Sequence, residues 1–254
     1  MRDFNSNGEI VGRPFQAVNE QSLTQKYPIG IKYESYGKIW RYCRAAATIS
    51  PGKRGCPNLA TSAWTGTDDS YGIGSDGATV TGIAGSNYVD VTHRAHAHTI
   101  DEFQGGIMNV YPAAPLDVNI YQFRVIGNDA DDAATLVLRA YLDPPLPVAL
   151  TAVPVDLNPS PYMNVGAPAS VGTGFSVVVI PEITVTSGYF FWGQTHGPCW
   201  VTPNAGWTTA SVRECEFHTN GTIKAAAGVA LQRAGYLLHG NAADDDACIM
   251  LMLE

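Results

Sequence analysis

Residues 124–142, RVIGNDADDAATLVLRAYL, contain an apolar run, a Gly-Asn pair, a cluster of aspartates and a second apolar run. Each apolar run is short and ends at turn residues, which is typical of a strand. Asn and Asp suit the connection because their side chains bond nearby backbone amides, and Gly adopts positive φ without strain. The stretch therefore predicts two antiparallel strands joined by a turn whose carboxylates lie in solvent.

A similar order of residues returns in GYLLHGNAADDDACIMLML at 235–253. The likeness extends upstream, because EFQGGIM at 102–108 has a counterpart in EFHTNGTI at 216–223. The acidic segments and the upstream segments are separated from their counterparts by nearly the same number of residues. This leads to the hypothesis of a duplicated β unit, near 102–142 and 216–254. Neither aspartate cluster has the alternating oxygen ligands and closing acid of a calcium loop, so turn chemistry is favoured over a metal.

The rest of the composition also indicates an all-β protein. Charged residues make up 15% of the 254 residues, while Gly (26) and Pro (16) are plentiful, which suits short strands and tight turns. We expect sandwich or barrel-like antiparallel sheets, and the length fits one large domain or two smaller ones. Residues 1–26 lack periodicity and predict an extended N-terminal arm that orders on a partner, ahead of a β-rich body at 27–254.

Two local patterns predict hairpins. Residues 27–49 alternate around Tyr36 and Gly37. In FHTNGTI, at 217–223, Asn220 and Gly221 are the pair favoured at the centre of a type I′ turn.

Charge and hydropathy exclude several classes of protein. The formal net charge is −8 and the 15 basic residues are scattered, which argues against a nucleic-acid partner. The apolar runs are far shorter than the ~20 residues of a membrane helix, and the N-terminus lacks the apolar core of a signal peptide. We expect no membrane partner and synthesis in a cytoplasm, with the five cysteines reduced and mostly buried.

The sharpest enzymatic candidate is HRAHAHTIDE at 93–102. On a strand, His96 and His98 would share one face, and with Glu102 they match the first metal motif of cupins. The match is partial, because Asp90 replaces the upstream glycine, the second cupin block is missing, and Arg94 on the same face would oppose a dication. A polar strand face with some pH sensitivity is the favoured interpretation.

Nucleophile motifs are weaker still. No Gly-x-Ser-x-Gly elbow occurs, and Cys199 and His196 are an odd number of residues apart, so an extended strand would point them to opposite faces. We therefore expect a non-enzymatic protein with no catalytic, cofactor-binding or metal-binding residues.

Aromatic residues are dense in GYFFWGQTHGPCW at 188–200 and in GKIWRYCR at 37–44. A strand with aromatic side chains on both faces is buried on both, or covers one face with a partner. A packed core and a subunit interface are both consistent with this pattern.

The strings GYFFWGQTHGPCWVTP and QRAGYLLHGNAADDDACIMLML, with DPPLP and NPSPYMNV upstream, resemble a group of virion structural proteins of tailed bacteriophages. The resemblance covers residues 27–254. It implies a decoration or cement protein on the capsid surface, made in the host bacterial cytoplasm. The implied partners are the major capsid protein and other copies of the chain in a homo-oligomer, for which a trimer is one option.

Two alternatives to a capsid protein stay open. One is the cupin-like metalloenzyme that uses His96, His98 and Glu102. The other is a tail-associated carbohydrate-binding module, in which aromatic residues such as Trp64 and Trp207 would contact a glycan.

Overall fold

The computed structural model describes residues 9–10, 13–50, 53–59, 73, 77–94, 96–111, 120–131, 134–167, 176–204, 212–226, 231–240 and 247–254. Regular structure in these residues is almost entirely β, which confirms the predicted all-β class. The chain divides into two units, and we call Met1–Leu59 with Tyr162–Glu254 unit 1, and Ala60–Pro161 unit 2. The sequence had left open whether the chain forms one domain or two.

Unit 2 contains a closed antiparallel barrel. Its strands are β6 (Thr79–Gly82), β7 (Tyr88–Thr92), β8 (Ile107–Val110), β9 (Tyr121–Asn128), β10 (Val137–Asp143) and β11 (Leu150–Asn158). The order around the barrel is β10-β7-β6-β11-β8-β9. Strand β11 returns beside β8 after the consecutive strands β8, β9 and β10, which is a Greek-key connection.

The stretch 124–142 supplies β9 and β10, and these strands pair antiparallel as predicted. Their inward side chains, which include Phe123, Val125, Leu138 and Leu142, are buried in the barrel core, while the residues between them face outward. A small barrel filled by side chains leaves no open sheet edge. Burial alternates along both strands, and the apolar residues Ile126 and Val137 are among those that face outward.

Unit 1 is built around one large sheet. Its strands are β1 (Glu9–Ile10), β2 (Gln21–Ser22), β3 (Lys32–Ser35), β4 (Lys38–Arg44), β5 (Cys56–Pro57), β12 (Val177–Pro181), β13 (Phe190–Val201), β14 (Glu214–Phe217), β15 (Ile223–Ala225), β16 (Arg233–His239) and β17 (Ala247–Met252). The main order is β1-β3-β4-β13-β17-β16-β14-β15. Strands β1 and β3 are parallel, and the other described pairs are antiparallel.

Strand β13 is the centre of unit 1. It is 12 residues long and pairs with β2, β4, β12 and β17. Its first half is buried on both faces, with Phe191 in one core cluster and Trp192 in another. At Gly193 a Cβ atom would lie 2.5 Å from Cβ of Val179, so only glycine allows this close approach of β12.

The structure confirms both hairpins and corrects one turn. Tyr36 and Gly37 connect β3 to β4 with positive φ angles of 51° and 73°, as a type I′ turn requires. Asn220 was predicted to share such a turn with Gly221, and this is wrong, because only Gly221 has positive φ. The Asn220 side chain instead accepts hydrogen bonds from the backbone N–H and hydroxyl of Thr222, which favours a longer loop with glycine alone in the left-handed region.

The two acidic segments each connect strands that pair antiparallel, β9 with β10 and β16 with β17. Their upstream matches differ, since Phe103 lies in a turn and Phe217 ends β14. The second aspartate cluster, at 241–246, lies outside the described residues. Duplication of the unit stays a hypothesis.

The five cysteines are free, as predicted, and Cys248 is the one that is not fully buried. Burial raises the pKa of Cys56, Cys199 and Cys215 to about 12. Their thiols therefore stay protonated and unreactive at neutral pH.

The described part of the segment predicted as an N-terminal arm consists of bends, turns and the short strands β1 and β2, and it packs on the rest of unit 1. Strand β2 pairs with β13. The buried side-chain amide of Gln16 donates to the main-chain carbonyl oxygens of Glu20 and Phe190, and its oxygen accepts from the Tyr42 hydroxyl. The main-chain carbonyl oxygen of Gln16 accepts a further hydrogen bond from Trp192 Nε1. Residues 1–8 and 11–12 of the arm lie outside the described residues.

Replacing Gln16 with Ala should therefore destabilise unit 1. The variant removes the hydrogen bonds that the Gln16 side chain makes with the Tyr42 hydroxyl and the Phe190 carbonyl oxygen, and we expect a loss of about 2–4 kcal/mol in the free energy of unfolding. Urea denaturation followed by tryptophan fluorescence measures it. The control is Gln21→Ala, which removes one exposed hydrogen bond to Thr186 and should cost less than about 1 kcal/mol. Equal losses in both variants would contradict the anchoring role of Gln16.

Candidate functional site

The candidate functional site is an exposed, mostly apolar surface on one side of β13, β17 and β16, which we call the apolar face. Its residues are Pro198 and Trp200 of β13, Cys248, Met250 and Met252 of β17, and Tyr236 and Leu238 of β16.

The apolar face arises from strands that are apolar on both sides. In β17, Ile249 and Leu251 point into the core, and the alternating residues Cys248, Met250 and Met252 point outward. A strand with water on its outer face usually carries polar residues there. An outward row of apolar side chains therefore indicates a surface that something covers.

Strand pairing makes these residues neighbours. Trp200 lies opposite Cys248, Pro198 lies opposite Met250, and Met250 lies opposite Tyr236. The exposed fraction is 52% for Trp200, 51% for Met252, 43% for Tyr236 and 40% for Leu238. The exposed side chains thus form a continuous strip across three strands.

Charged residues lie at the border of this strip. Glu214, opposite Tyr236 on β14, pairs with Arg233 at 2.8 Å, and both side chains are largely exposed. An apolar centre rich in Trp, Tyr and Met with a polar rim is the composition of a protein interface. The apolar face can therefore bury area against a partner.

The aromatic segments divide between the core and this surface. Trp40, Tyr42, Phe191 and Trp192 are buried, and Tyr42 and Trp192 meet edge to face with ring centroids 5.0 Å apart. Trp200, in the second half of β13, is exposed. The sequence had pointed to β13 but not to the outward residues of its neighbours, whose direction depends on how the strands pair in the sheet. These residues are Tyr236, Leu238, Met250 and Met252. Trp64 and Trp207 lie outside the described residues.

The predicted histidine motif has a different geometry from the one expected. Strand β7 ends at Thr92, so His96 and His98 lie on a loop, and strand alternation does not apply to them. His98 is buried and His96 is exposed, with ring centroids 6.1 Å apart. In the part of the chain that the structure describes, no three His, Cys, Asp or Glu side chains are arranged to hold a metal ion.

His98 contacts Glu102 rather than a shared ligand site with His96. Its Nδ1 lies 3.3 Å from Glu102 Oε1, and its ring packs edge to face against Phe103 with centroids 4.9 Å apart. The structure therefore brings together His98 and Glu102, two of the three candidate ligands of the cupin-like alternative, and leaves His96 at the surface.

The sequence did not identify His93 and Asp131 as partners. The two side chains are fully buried, and His93 Nε2 lies 2.5 Å from Asp131 Oδ2. Asp131 Oδ1 also accepts a hydrogen bond from the backbone N–H of His98. The expectation that the carboxylates of this turn lie in solvent is wrong for Asp131, because it holds the loop at 93–98.

Comparisons of the chain with protein-family models, with curated proteins and with solved structures find no match. In the described ranges no helix has the length and hydropathy required to cross a membrane. The function is therefore argued from the surfaces of the molecule.

The local environment of Glu102 lowers the pKa of its carboxyl group. Burial opposes ionisation, but hydrogen bonds from His98 and from the N–H and hydroxyl of Thr99 outweigh it. A carboxyl group whose pKa is lower in the folded state than in the unfolded chain stabilises the fold at pH values above its unfolded pKa, which is 4.5 for Glu102. That stabilisation is lost as the pH falls through the folded pKa.

Replacing Glu102 with Gln should therefore lower the melting temperature most above pH 4.5. The difference from wild type should shrink as acid protonates Glu102 in the parent protein. Thermal denaturation between pH 7 and the acid limit of folding measures this dependence. Asp90→Asn is the control on the same barrel, since it removes an exposed pair with Arg139. A difference from wild type that stays constant down to the acid limit would contradict the role given to the Glu102 carboxylate.

Proposed function

We propose that this protein is a structural component of a tailed-bacteriophage virion, which binds and stabilises the capsid shell as a decoration or cement protein. The observation that carries the proposal is the apolar face of unit 1. A surface of this kind serves protein association, and its energy comes from buried area.

The proposed partners are other copies of the chain and the major capsid protein. The apolar face is assigned to self-association, because its residues include Trp200, Tyr236 and Met252, and Trp, Tyr and Met are enriched in protein interfaces. Closed symmetry is usual for such assemblies, and a trimer is one solution. The resemblance of residues 27–254 to virion structural proteins supports the capsid as the second partner, with synthesis in the host cytoplasm.

The proposal assigns no catalytic, cofactor or metal role to any residue. The buried polar groups described above, Gln16 in unit 1 and Asp131 in unit 2, have structural partners. The apolar face contains one thiol, Cys248, opposite His239 in the strand pairing, and the proposal gives neither a catalytic role.

The self-association can be tested by placing a charge on the apolar face. Leu238→Glu should weaken self-association by at least about tenfold, because the carboxylate would lose its hydration in the contact. Sedimentation velocity over a range of protein concentrations measures the effect.

The matched control is Ile107→Glu on the barrel, since Ile107 is 43% exposed and Leu238 is 40% exposed. Both variants should keep a free energy of unfolding within about 0.5 kcal/mol of wild type under conditions where all are monomeric. A wild-type chain that stays monomeric at high concentration, or equal loss in both variants, would argue against the assigned surface.

The capsid role has its own test. Mass spectrometry of purified virions of the phage that encodes the chain should detect the protein. A tagged copy viewed by electron microscopy should lie on the head. Purified wild-type protein should also sediment with capsids that lack it. Absence from virions together with no binding to such capsids would refute the proposal.

A further inference from the structure

Side chains that contain sulfur form a row on the outward side of β17. Cys248, Met250 and Met252 alternate with the core residues of this strand, so they share its outward face. The exposed fraction of Met252 is 51%. Self-association accounts for apolar side chains at these positions, but it does not require sulfur at each of them.

His196 lies beside this row. It is the partner of Met252 in the pairing of β13 with β17, and directly opposite residues of a ladder share a face. The Leu253 N–H donates to the Thr195 carbonyl oxygen at 3.0 Å, which makes His196 and Met252 a non-hydrogen-bonded pair. Side chains approach each other most closely in pairs of this type.

The imidazole ring of His196 is oriented by the main chain. Its Nδ1 lies 3.2 Å from the main-chain oxygen of Glu254. This oxygen can only accept a hydrogen bond, so Nδ1 carries the hydrogen, and in the neutral ring the lone pair is on Nε2. A histidine that ligates a metal through Nε2 commonly has its other nitrogen fixed by such a hydrogen bond.

Met250 adds a third ligand. It lies two residues from Met252 on the same face and diagonally across the two strands from His196. The Cβ atoms of diagonal neighbours are about 7 Å apart, and methionine side chains are unbranched and flexible. Two thioether sulfurs and one imidazole nitrogen can therefore reach a single ion.

The chemistry of these ligands selects the ion. Thioether sulfur is a soft ligand that favours Cu(I), and imidazole also binds copper, whereas Ca²⁺ and Mg²⁺ require oxygen ligands. All three ligands are neutral, and the Glu254 carboxylate is paired with Arg41. The set therefore suits a monovalent ion better than a dication. We propose that Met250, Met252 and His196 form a binding site for Cu(I).

The surroundings of Met250 agree with a soft ion. Its neighbours across the sheet are Pro198 on β13 and Tyr236 on β16, and neither brings a charge or a carboxylate. The thioether ligands also distinguish this site from the histidine motif at 93–102, whose candidate ligands were imidazoles and a carboxylate. Here the imidazole and the sulfurs share a face.

This inference does not rest on the proposed capsid role. The three ligands belong to two paired strands of one chain, so a monomer binds the ion. Because Met250 and Met252 also belong to the apolar face, binding is measured at protein concentrations at which the chain is monomeric. Self-association without Cu(I) binding, or the reverse, would separate the two proposals.

The experiment titrates the full-length Cys248→Ser variant with Ag(I), a redox-stable analogue of Cu(I) that has the same charge and also prefers sulfur. The substitution removes a partly exposed thiol, which would bind Ag(I) by itself. The readout is the methionine methyl signals in a carbon-13 NMR spectrum, assigned by Met→Leu substitutions. The signals of Met250 and Met252 should shift together and saturate at one equivalent, while those of the buried Met108 and Met163 should not move.

In the same background, His196→Gln should weaken the Ag(I) affinity at least about tenfold, since losing even a residue that supports a ligand has an effect of this size. The control His239→Gln removes an exposed histidine opposite residue 248, and it should leave the affinity unchanged. Competition with a colorimetric Cu(I) chelator under reducing conditions repeats the comparison with Cu(I) itself.

Met250→Leu keeps the apolar volume and should weaken the affinity by a similar factor, which provides a second test if His196→Gln fails to fold. The inference is overturned if neither methyl signal shifts, as expected for methionines that serve only as contacts in the apolar face. It is also overturned if the two histidine variants bind Ag(I) equally, which would indicate adventitious binding to exposed sulfur.

Discussion

The backbone pairing of β13 is the constraint on which unit 1 depends. A strand offers hydrogen bonds along two edges and side chains on two faces, and β13 uses all four. It pairs with β2, β4, β12 and β17, and its first half is buried on both faces. A shift of register by one residue would exchange the faces occupied by Phe191 and Trp192. The position of every neighbouring strand therefore follows from this one segment.

The same strand also contributes to the apolar face. Beyond the bulge near Gln194, one face of β13 turns outward and presents Pro198 and Trp200. Beside the bulge, the Gln194 side-chain amide donates to the carbonyl oxygens of His196 and Pro198 on its own strand. Bulges commonly redirect side chains in this way. One strand thus contributes to the core and to the apolar face.

Unit 2 shows how residues that suggest chemistry can instead serve structure. Asn128 accepts from the backbone N–H of Phe103 and donates to the carbonyl oxygen of Thr99, while Asp131 bonds His93 and the backbone of His98. These bonds attach the loop after β7 to the turn after β9. Buried polar groups need such partners, and these hydrogen bonds hold the loop in place. A histidine-rich string in a sequence therefore indicates a metal site only when its ligands share a face.

The sequence by itself determined what depends on neighbouring residues. The apolar runs and turn residues of 124–142 predicted the strands β9 and β10, Tyr36 and Gly37 predicted a hairpin, and the spacing of the cysteines predicted reduced thiols. Only the tertiary structure decided the division into two units, the closure of the barrel, and which side chains of β9 and β10 face inward. It also decided the burial of Asp131 and the outward row of Tyr236 and Met250. The physical reason is that alternation and turn preference act over a few residues. Strand partners and burial arise from long-range hydrogen bonds and packing, which no local pattern records.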